Sequence, residues 1–195
     1  MLAHMPGDAP QIEVKSRAEL RAWLARNHTT ATTVWLVVYK KHSPHHLPWG
    51  DAVEELLCWG WVDSVTRRVD DARSSYRISP RNPKSAWSAV NKAKVNAARA
   101  SGAMTPAGEA VIEAAKANGM WTFLDDVERL EVPDDLAAAL AQSGSSPIWE
   151  AYPRSVKRGA LEWIKTAKTD PTRAKRIADV VTSARQGLRP SPFRR

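Results

Sequence analysis

The pattern of hydrophobic and polar positions changes character along the chain, and strand-like patterns are confined to its first half. Residues 11–15 alternate as a short strand does, and residues 32–41 are rich in β-branched and aromatic side chains. Residues 61–69 alternate again and, after a turn at Asp70 and Asp71, residues 75–79 return as a hairpin partner. These segments predict a small antiparallel or mixed sheet.

Two helices with capping boxes are predicted between these strands. Ser16 followed three residues later by Glu19 is a helix-start signal, and Leu20 and Leu24 then fall on one face. Asp51 followed by residue 54, a glutamate, predicts the start of the second helix in the same way. The glycine at position 60 is expected to end this second helix.

The rest of the chain predicts helices. The strongest start signal is Thr105-Pro106, with Gly119 as the matching stop. Residues 143–147 are expected to form a loop. The predicted helices cover residues 88–100, 106–119, 134–142, 153–168 and 171–187, and the apolar face of the fourth comprises Val156, Ala160, Trp163, Ile164 and Ala167.

The order of elements predicts an α+β fold, with helices packed on a small sheet in the N-terminal part and a helical C-terminal part. A seam is expected where the strand patterns have ended and an aromatic connector begins. The predicted boundaries are a loose N-terminus at 1–10, an α+β domain at 11–119, a connector at 120–132, a helical domain at 133–188 and a basic tail at 189–195.

The composition of the chain bears on its net charge and on the cellular compartment in which we expect it. The chain has 195 residues, nine tryptophans and a formal net charge of +8. Such a charge attracts polyanions, but the alternative is that it only keeps the protein in solution. The basic residues are densest near the C-terminus, at Arg185, Arg189, Arg194 and Arg195. No secretory signal or apolar run of about 20 residues is visible, and Cys58 has no bridging partner, so we expect a cytoplasmic protein.

Residues 51–88 concentrate the side chains that a pocket for a flat or anionic ligand would need. Indole rings stack on planar groups, and guanidinium and ammonium groups bind anions. The predicted ligand-binding residues are Trp59, Trp61, Asp63, Arg77, Arg81, Lys84 and Trp87.

The segment at 79–88, SPRNPKSAWS, is the sharpest part of this prediction. Arg81 and Lys84 lie in a loop that Pro80 and Pro83 stiffen and that leads into a helix N-terminus, where free N–H groups favour anions. The alternative is a structural crossover whose charges face water. Both interpretations remain open at the level of sequence.

Other side chains in the region have competing interpretations. Asp63 is expected to form an ion pair with Arg67 or Arg77 rather than to act as a base, and Cys58 is expected to be an inert buried thiol because no histidine lies near it. Trp59 and Trp61 are expected to be core residues, although Gly60 between them allows one ring to line a cleft.

Signals for a cofactor, a metal or a known catalytic motif are lacking. The histidines at 42, 45 and 46 have no second cluster to complete a zinc site, and no glycine-rich phosphate loop or nucleophile elbow occurs. We therefore predict no catalytic residue, no metal and no cofactor.

Several motifs resemble those of the YdeI/OmpD-associated family, bacterial proteins linked to bacteriocin protection and antimicrobial-peptide resistance. They are VWLVVYKKH, DAVEELLCWGW, CWGWVDS, PRNPKSAWS, MTPAG, VPDDLAAAL and WIKTAKTDPTRAKRI, and the likeness extends over nearly the whole chain. The departures are modest: Trp59 stands where the family more often has Phe, and Asn82 where it more often has a basic residue.

The resemblance implies a resistance-related role and brings no agreed enzymatic activity. Most antimicrobial peptides are cationic, and a protein of charge +8 repels them at long range, so an indirect role through an anionic ligand or a protein partner is favoured. We expect a soluble, non-enzymatic binding protein. The alternatives are a nucleic-acid-binding protein that uses its basic C-terminal helices, and a small-molecule enzyme that uses Asp63 or Cys58.

Overall fold

The computed structural model describes residues 9–194, and the chain divides into two compact units at Thr122 and Phe123. Most of the predicted loose N-terminus, residues 1–8, lies outside the described residues. Pro10 is described, and its carbonyl accepts a hydrogen bond from the Trp35 backbone N–H at 2.8 Å.

Within its described residues, the first unit combines a four-stranded sheet with four helices, which confirms the predicted α+β fold. The sheet order is β1-β2-β4-β3, with β1 parallel to β2 and the other pairs antiparallel, so the sheet is mixed. The elements are β1 Gln11–Glu13, α1 Arg17–Asn27, β2 Val34–Tyr39, α2 Trp49–Cys58, β3 Trp61–Arg68, β4 Arg73–Pro80, α3 Ala89–Ala100 and α4 Pro106–Ala117.

One face of this sheet packs against α1 and α2. Leu20 and Leu24 of α1 and Leu56 of α2 are completely buried against alternate residues of β2 and against Ile78 of β4. Trp61, the first residue of β3, joins the same core and packs edge-on against the ring of Trp23 at a centroid distance of 5.7 Å. Tryptophan is thus a major component of the core of this unit.

The hairpin of β3 and β4 was predicted correctly, but its ladder is irregular. The pairing shifts register between Asp63 and Thr66, so the strand carries a bulge at Ser64 and Val65. β3 is one of the two edge strands of the described sheet. The side chain of Val65 is 53% exposed there.

The two predicted capping boxes had different outcomes. The Ser16 hydroxyl accepts a hydrogen bond from the Glu19 N–H at 3.2 Å, and the Glu19 carboxylate accepts from the Lys15 N–H at 2.9 Å, so the start of α1 is confirmed. The predicted start of α2 at Asp51 is wrong, because the helix begins at Trp49 after Pro48 and has no side-chain cap. The fixed φ of proline suits this position, and Asp51 instead places its charge in the first turn.

The MTPAG segment fixes α4 against the end of α2. The Thr105 hydroxyl donates to the Cys58 carbonyl at 2.5 Å and accepts from the Gly108 N–H at 3.4 Å. A Cβ at Gly108 would lie 2.4 Å from the Cys58 carbonyl oxygen, so only glycine permits this approach. Gly60 ends α2 with a φ of +71°, as predicted.

The second unit is helical, and its principal helices follow the prediction. The predicted loop at 143–147 is wrong in its second half, because a helix begins at Ser146 with Pro147 in its first turn. Val156, Ala160 and Ile164 form the buried face of the predicted fourth helix, whereas Trp163 is half-buried. The elements are α5 Asp125–Glu128, α6 Asp134–Gln142, α7 Ser146–Ala151, α8 Arg154–Lys165, α9 Asp170–Arg185 and a 3₁₀ turn at Ser191–Phe193.

Ion pairs join the helices of the second unit around this core. Each of these ion pairs contains a basic side chain of α8 or α9, so these positive charges are already paired with neighbouring carboxylates. The pairs are Lys157 with Glu150, Arg158 with Glu128 and Glu162, Lys165 with Asp126, and Arg173 with Asp135. Across residues 9–194, none of the helices combines the length and the hydrophobicity required to traverse a bilayer.

Candidate anion-binding site

The seven predicted ligand-binding residues do not form one cleft in the first unit. Arg81 and Trp87 lie together and are buried, Arg77 and Lys84 are exposed, and Asp63 is half-buried. Trp61 is enclosed in the core, and the half-buried Trp59 belongs to a separate ion network. Only the Arg81–Trp87 pair retains the features of a binding site.

The Arg81 guanidinium stacks on the Trp87 indole. The guanidinium carbon lies 3.9 Å from the ring centroid, and both residues are almost closed to solvent, with 7% and 1% of their surfaces exposed. Of the two interpretations left open for this loop, charges that face water therefore describe Lys84 but not Arg81. Stacking on the indole removes water from one face of the cation and stabilises its charge through the ring quadrupole.

Hydrogen bonding leaves this guanidinium unsatisfied. Nη2 donates to the Ala86 carbonyl at 2.5 Å, but Nε and Nη1 have no acceptor among the described residues. The indole Nε1 of Trp87 is also buried without an acceptor. The two stacked side chains thus contain three buried donor atoms without an acceptor among the described residues, and buried donors of this kind are rare in folded proteins.

Burial dominates the electrostatics of Arg81. It lowers the pKa of Arg81 to about 10, and the negative charge of Asp63 raises this pKa only in part. Because the group is still protonated at neutral pH, the fold carries a desolvated positive charge with incomplete compensation. An oxyanion would supply both the missing charge and the missing acceptors.

The loop around the site is fixed by its own hydrogen bonds. The Asn82 side chain accepts from the Lys84 N–H at 2.8 Å, and the Asn118 side chain donates to the Pro83 carbonyl at 2.9 Å. The Trp87 N–H donates to the Met120 carbonyl at 3.2 Å. The chain itself therefore fixes the conformation of this loop.

Sequence reasoning missed the residues that enclose the pair. Trp121 packs against Trp87 at a centroid distance of 5.0 Å, and the Ala86 carbonyl holds the guanidinium. The tryptophan content was a signal that aromatic packing would matter, but nothing in the pattern paired positions 87 and 121.

Asp63 does not form the predicted ion pair. Within the part of the chain that the structure describes, no ion pair links Asp63 to Arg67 or Arg77, so that expectation is wrong. Arg67 instead lies over the ring of Trp35, at 3.2 Å from its centroid. The bulge after Asp63 takes the strand out of regular register and separates the side chains that simple alternation would have aligned.

Trp59 contributes to a satisfied ion network around the buried carboxylate of Glu55. This carboxylate accepts hydrogen bonds from Arg17 at 2.9 Å, from Arg21 at 2.8 Å and from the Trp59 indole at 3.1 Å. Arg17 also donates to Glu54 at 2.8 Å. Because the carboxylate oxygens of Glu55 already accept these hydrogen bonds, the cluster stabilises the packing of α1 on α2 and is not a binding site.

Cys58 is a poor nucleophile in this environment. Its side chain is completely buried, and burial raises the pKa of the thiol to about 11, with a further contribution from the negative charge of Glu55. A thiol with such a pKa remains protonated at neutral pH. Among the described residues, no cluster of histidine, cysteine and carboxylate side chains has the arrangement of a metal site.

Comparison with known protein families gives a separate match for each of the two units. Residues 12–111 match a family described as a domain of unknown function, DUF8412, over just over half of the chain. Residues 129–187 match the family described as bacteriocin-protection, YdeI or OmpD-associated. The latter match confirms the resemblance for the second half, whereas the motifs from VWLVVYKKH to MTPAG lie within the former. No curated protein and no solved structure matches the chain.

Proposed function

Because the chain belongs to the DUF8412 family through residues 12–111 and carries a bacteriocin-protection, YdeI or OmpD-associated segment at 129–187, we propose that it is a non-enzymatic binding protein linked to bacteriocin or antimicrobial-peptide stress. Its ligand is an oxyanion, a phosphate or carboxylate group carried by a small molecule or a partner. Arg81 and Trp87 are its binding residues. We place the protein in the cytoplasm as part of the same proposal.

The observation that carries this proposal is that the buried guanidinium of Arg81 lacks hydrogen-bond acceptors at Nε and Nη1 among the described residues. A buried cation without a counter-ion destabilises a fold, so a structure that retains one needs a compensating reason. Nε and Nη1 of Arg81 and Nε1 of Trp87 are unsatisfied, and oxyanion oxygens are strong acceptors for such groups. An anion that enters the site therefore restores hydrogen bonds that the folded chain has lost.

The link to bacteriocins is indirect in this proposal. Antimicrobial peptides are mostly cationic, and both the net charge of +8 and the charge of Arg81 oppose their binding. Lys157, Arg158 and Lys165 of α8 and Arg173 of α9 are engaged in ion pairs, so these four cations are not free to contact a nucleic-acid backbone. The buried Cys58 and the absence of a metal cluster among the described residues give no support to the enzyme alternative.

Thermal stability measured in different anions tests the proposal. Sodium phosphate, sulfate and acetate are compared with sodium chloride at equal ionic strength, for the wild type and for Arg81→Met. A bound oxyanion stabilises the folded state by about 2.7 kcal/mol at 100 times its Kd. We expect a saturable rise in the melting temperature of the wild type with at least one oxyanion and none for Arg81→Met.

A matched control separates this site from general charge. Arg68→Met removes a positive charge from the exposed hairpin, where Arg68 forms an ion pair with Asp71. We expect Arg68→Met to retain the full response to the oxyanion. An equal loss of response in both variants, or no saturable response of the wild type, would contradict the proposal.

A further inference from the structure

A groove in the second unit has a shape and a charge pattern that suit a particular occupant. It lies between α6 and α9, encloses about 590 Å³ and is mostly apolar. Ala174, Ala178 and Val181 of α9 line it together with Ala139 of α6. Ala174 and Ala178 are exposed, so small apolar side chains face water along one side of α9.

These side chains form one stripe that ends in opposite charges. At about 100° per residue, Asp170, Ala174, Ala178, Val181 and Arg185 fall within about 80° of one another on the helix surface. Asp170 lies in the first turn of α9 and Arg185 in its last. Both are exposed, and neither forms an ion pair within the described part of the chain.

The stripe is complementary to itself when it is reversed. Positions 170 and 185 lie equally far from the midpoint between 177 and 178, and so do positions 174 and 181. Two antiparallel copies related by a two-fold axis at that midpoint would place each Asp170 opposite an Arg185. The same arrangement places each Ala174 opposite a Val181. A two-fold interface requires this kind of self-complementarity.

We propose that a second copy of this chain docks on the α6–α9 groove, with the two α9 helices antiparallel. The alanines let the helix backbones approach closely, and the two Asp170–Arg185 pairs fix the direction of packing. The partner recognised here is therefore an identical helix with an acidic start, a small apolar centre and a basic end. This inference does not depend on the anion site.

The interface is expected to be weak. One stripe of about 22 Å along a helix falls short of the roughly 800 Å² per partner that standard interfaces bury. Self-association in the micromolar range or weaker is therefore expected, and it should be concentration-dependent. The positive net charge opposes association further at low ionic strength.

Sedimentation velocity of the whole chain, from a few micromolar to about 1 mM, tests the proposal. We expect the wild-type sedimentation coefficient to rise with concentration. Ala178→Arg, Asp170→Arg and Arg185→Asp should each weaken association by about tenfold or more, because each places bulk or like charges at the axis or at its ends. Lys175→Glu is the matched control, since it changes a charge of α9 about 100° from the centre of the stripe.

The combined charge reversal makes the test decisive. Asp170→Arg with Arg185→Asp restores opposite charges across the axis, so association should return to within about threefold of the wild type. Far-UV circular dichroism of each variant confirms that α9 is intact. A wild type that stays monomeric to about 1 mM overturns the proposal and leaves the groove to another partner or to none. A combined variant as weak as the single ones overturns it equally.

Discussion

Glu55 and Arg81 are both buried charges of the first unit, and their surroundings differ completely. The Glu55 carboxylate is 1% exposed and accepts hydrogen bonds from two arginines and an indole. The Arg81 guanidinium is 7% exposed and has one carbonyl acceptor and no ion pair among the described residues. The protein thus compensates one buried charge fully and leaves the other largely uncompensated.

This difference separates a structural charge from a candidate functional one. A buried charge whose hydrogen bonds are complete strengthens the structure around it, and its partners are lost when it is removed. A buried charge with open hydrogen bonds weakens the fold until something binds to it. Four predictions test whether the two charges differ in this way.

The largest effect is expected for Glu55→Gln. The amide keeps one acceptor oxygen but places an NH2 donor where a second oxygen accepted, so at least one hydrogen bond is lost and Arg17 and Arg21 lose their shared negative charge. We expect the free energy of unfolding to fall by about 3 kcal/mol, measured by urea denaturation with tryptophan fluorescence. Glu54→Gln is the control, because Glu54 pairs with Arg17 alone and should cost less than about 1 kcal/mol. Equal falls in the free energy of unfolding for the two variants would mean that Glu55 stabilises the fold no more than Glu54 does.

The next effect concerns Cys58, which lies three residues after Glu55 on α2. Burial raises the pKa of the thiol to about 11, so at pH 8 it holds roughly 100-fold less thiolate than an unperturbed thiol. We expect slow alkylation by iodoacetamide in the folded protein, a rate that rises toward pH 11, and fast alkylation in urea. Rapid alkylation of folded protein at pH 8 would revive the enzyme interpretation.

A gain in stability is expected for Arg81→Met in a buffer without oxyanions. Methionine keeps an apolar stem on Trp87 and removes the uncompensated charge, at the loss of one hydrogen bond to Ala86. We expect the free energy of unfolding to rise by about 1 kcal/mol, measured by the same denaturation. Arg81→Lys keeps the charge and should give no gain. A loss of 1 kcal/mol or more in Arg81→Met would instead show that Arg81 is structural.

The smallest effect is expected for Asp71→Asn at the exposed tip of the hairpin. Arg68 and Asp71 form an ion pair there, but both side chains are mostly in water. We expect a change below about 0.5 kcal/mol in the free energy of unfolding. A larger change would mean that the exposed fraction of a charged side chain does not predict its contribution to the free energy of unfolding in this unit. The contrast between Glu55 and Arg81 would then lose part of its basis.

Most secondary-structure elements could be predicted because their signals are local. Ser16 with Glu19, Thr105 with Pro106, and Gly60 each act on neighbours within a few residues. Asp51 misled the prediction because the same residues satisfy a capping box and a first turn, and Pro48 settled the choice. Local patterns therefore locate elements well and their first residues less well.

The site was harder to predict because it depends on contacts between distant positions. The sequence singles out the SPRNPKSAWS segment, but the burial of Trp87 involves Trp121, more than 30 residues further along the chain. The Glu55 network likewise joins positions 34 and 38 residues apart. Sequence patterns carry no information on whether a cation will meet its counter-ion after folding.

The bulge in β3 has a consequence for solubility. An outer strand offers unpaired backbone groups to any other strand, and regular edges of this kind nucleate aggregation. The shift at Ser64 and Val65 breaks the repeat that a foreign strand would need. The irregularity that separates Asp63 from its expected partners therefore also keeps the hairpin from joining sheets with its neighbours.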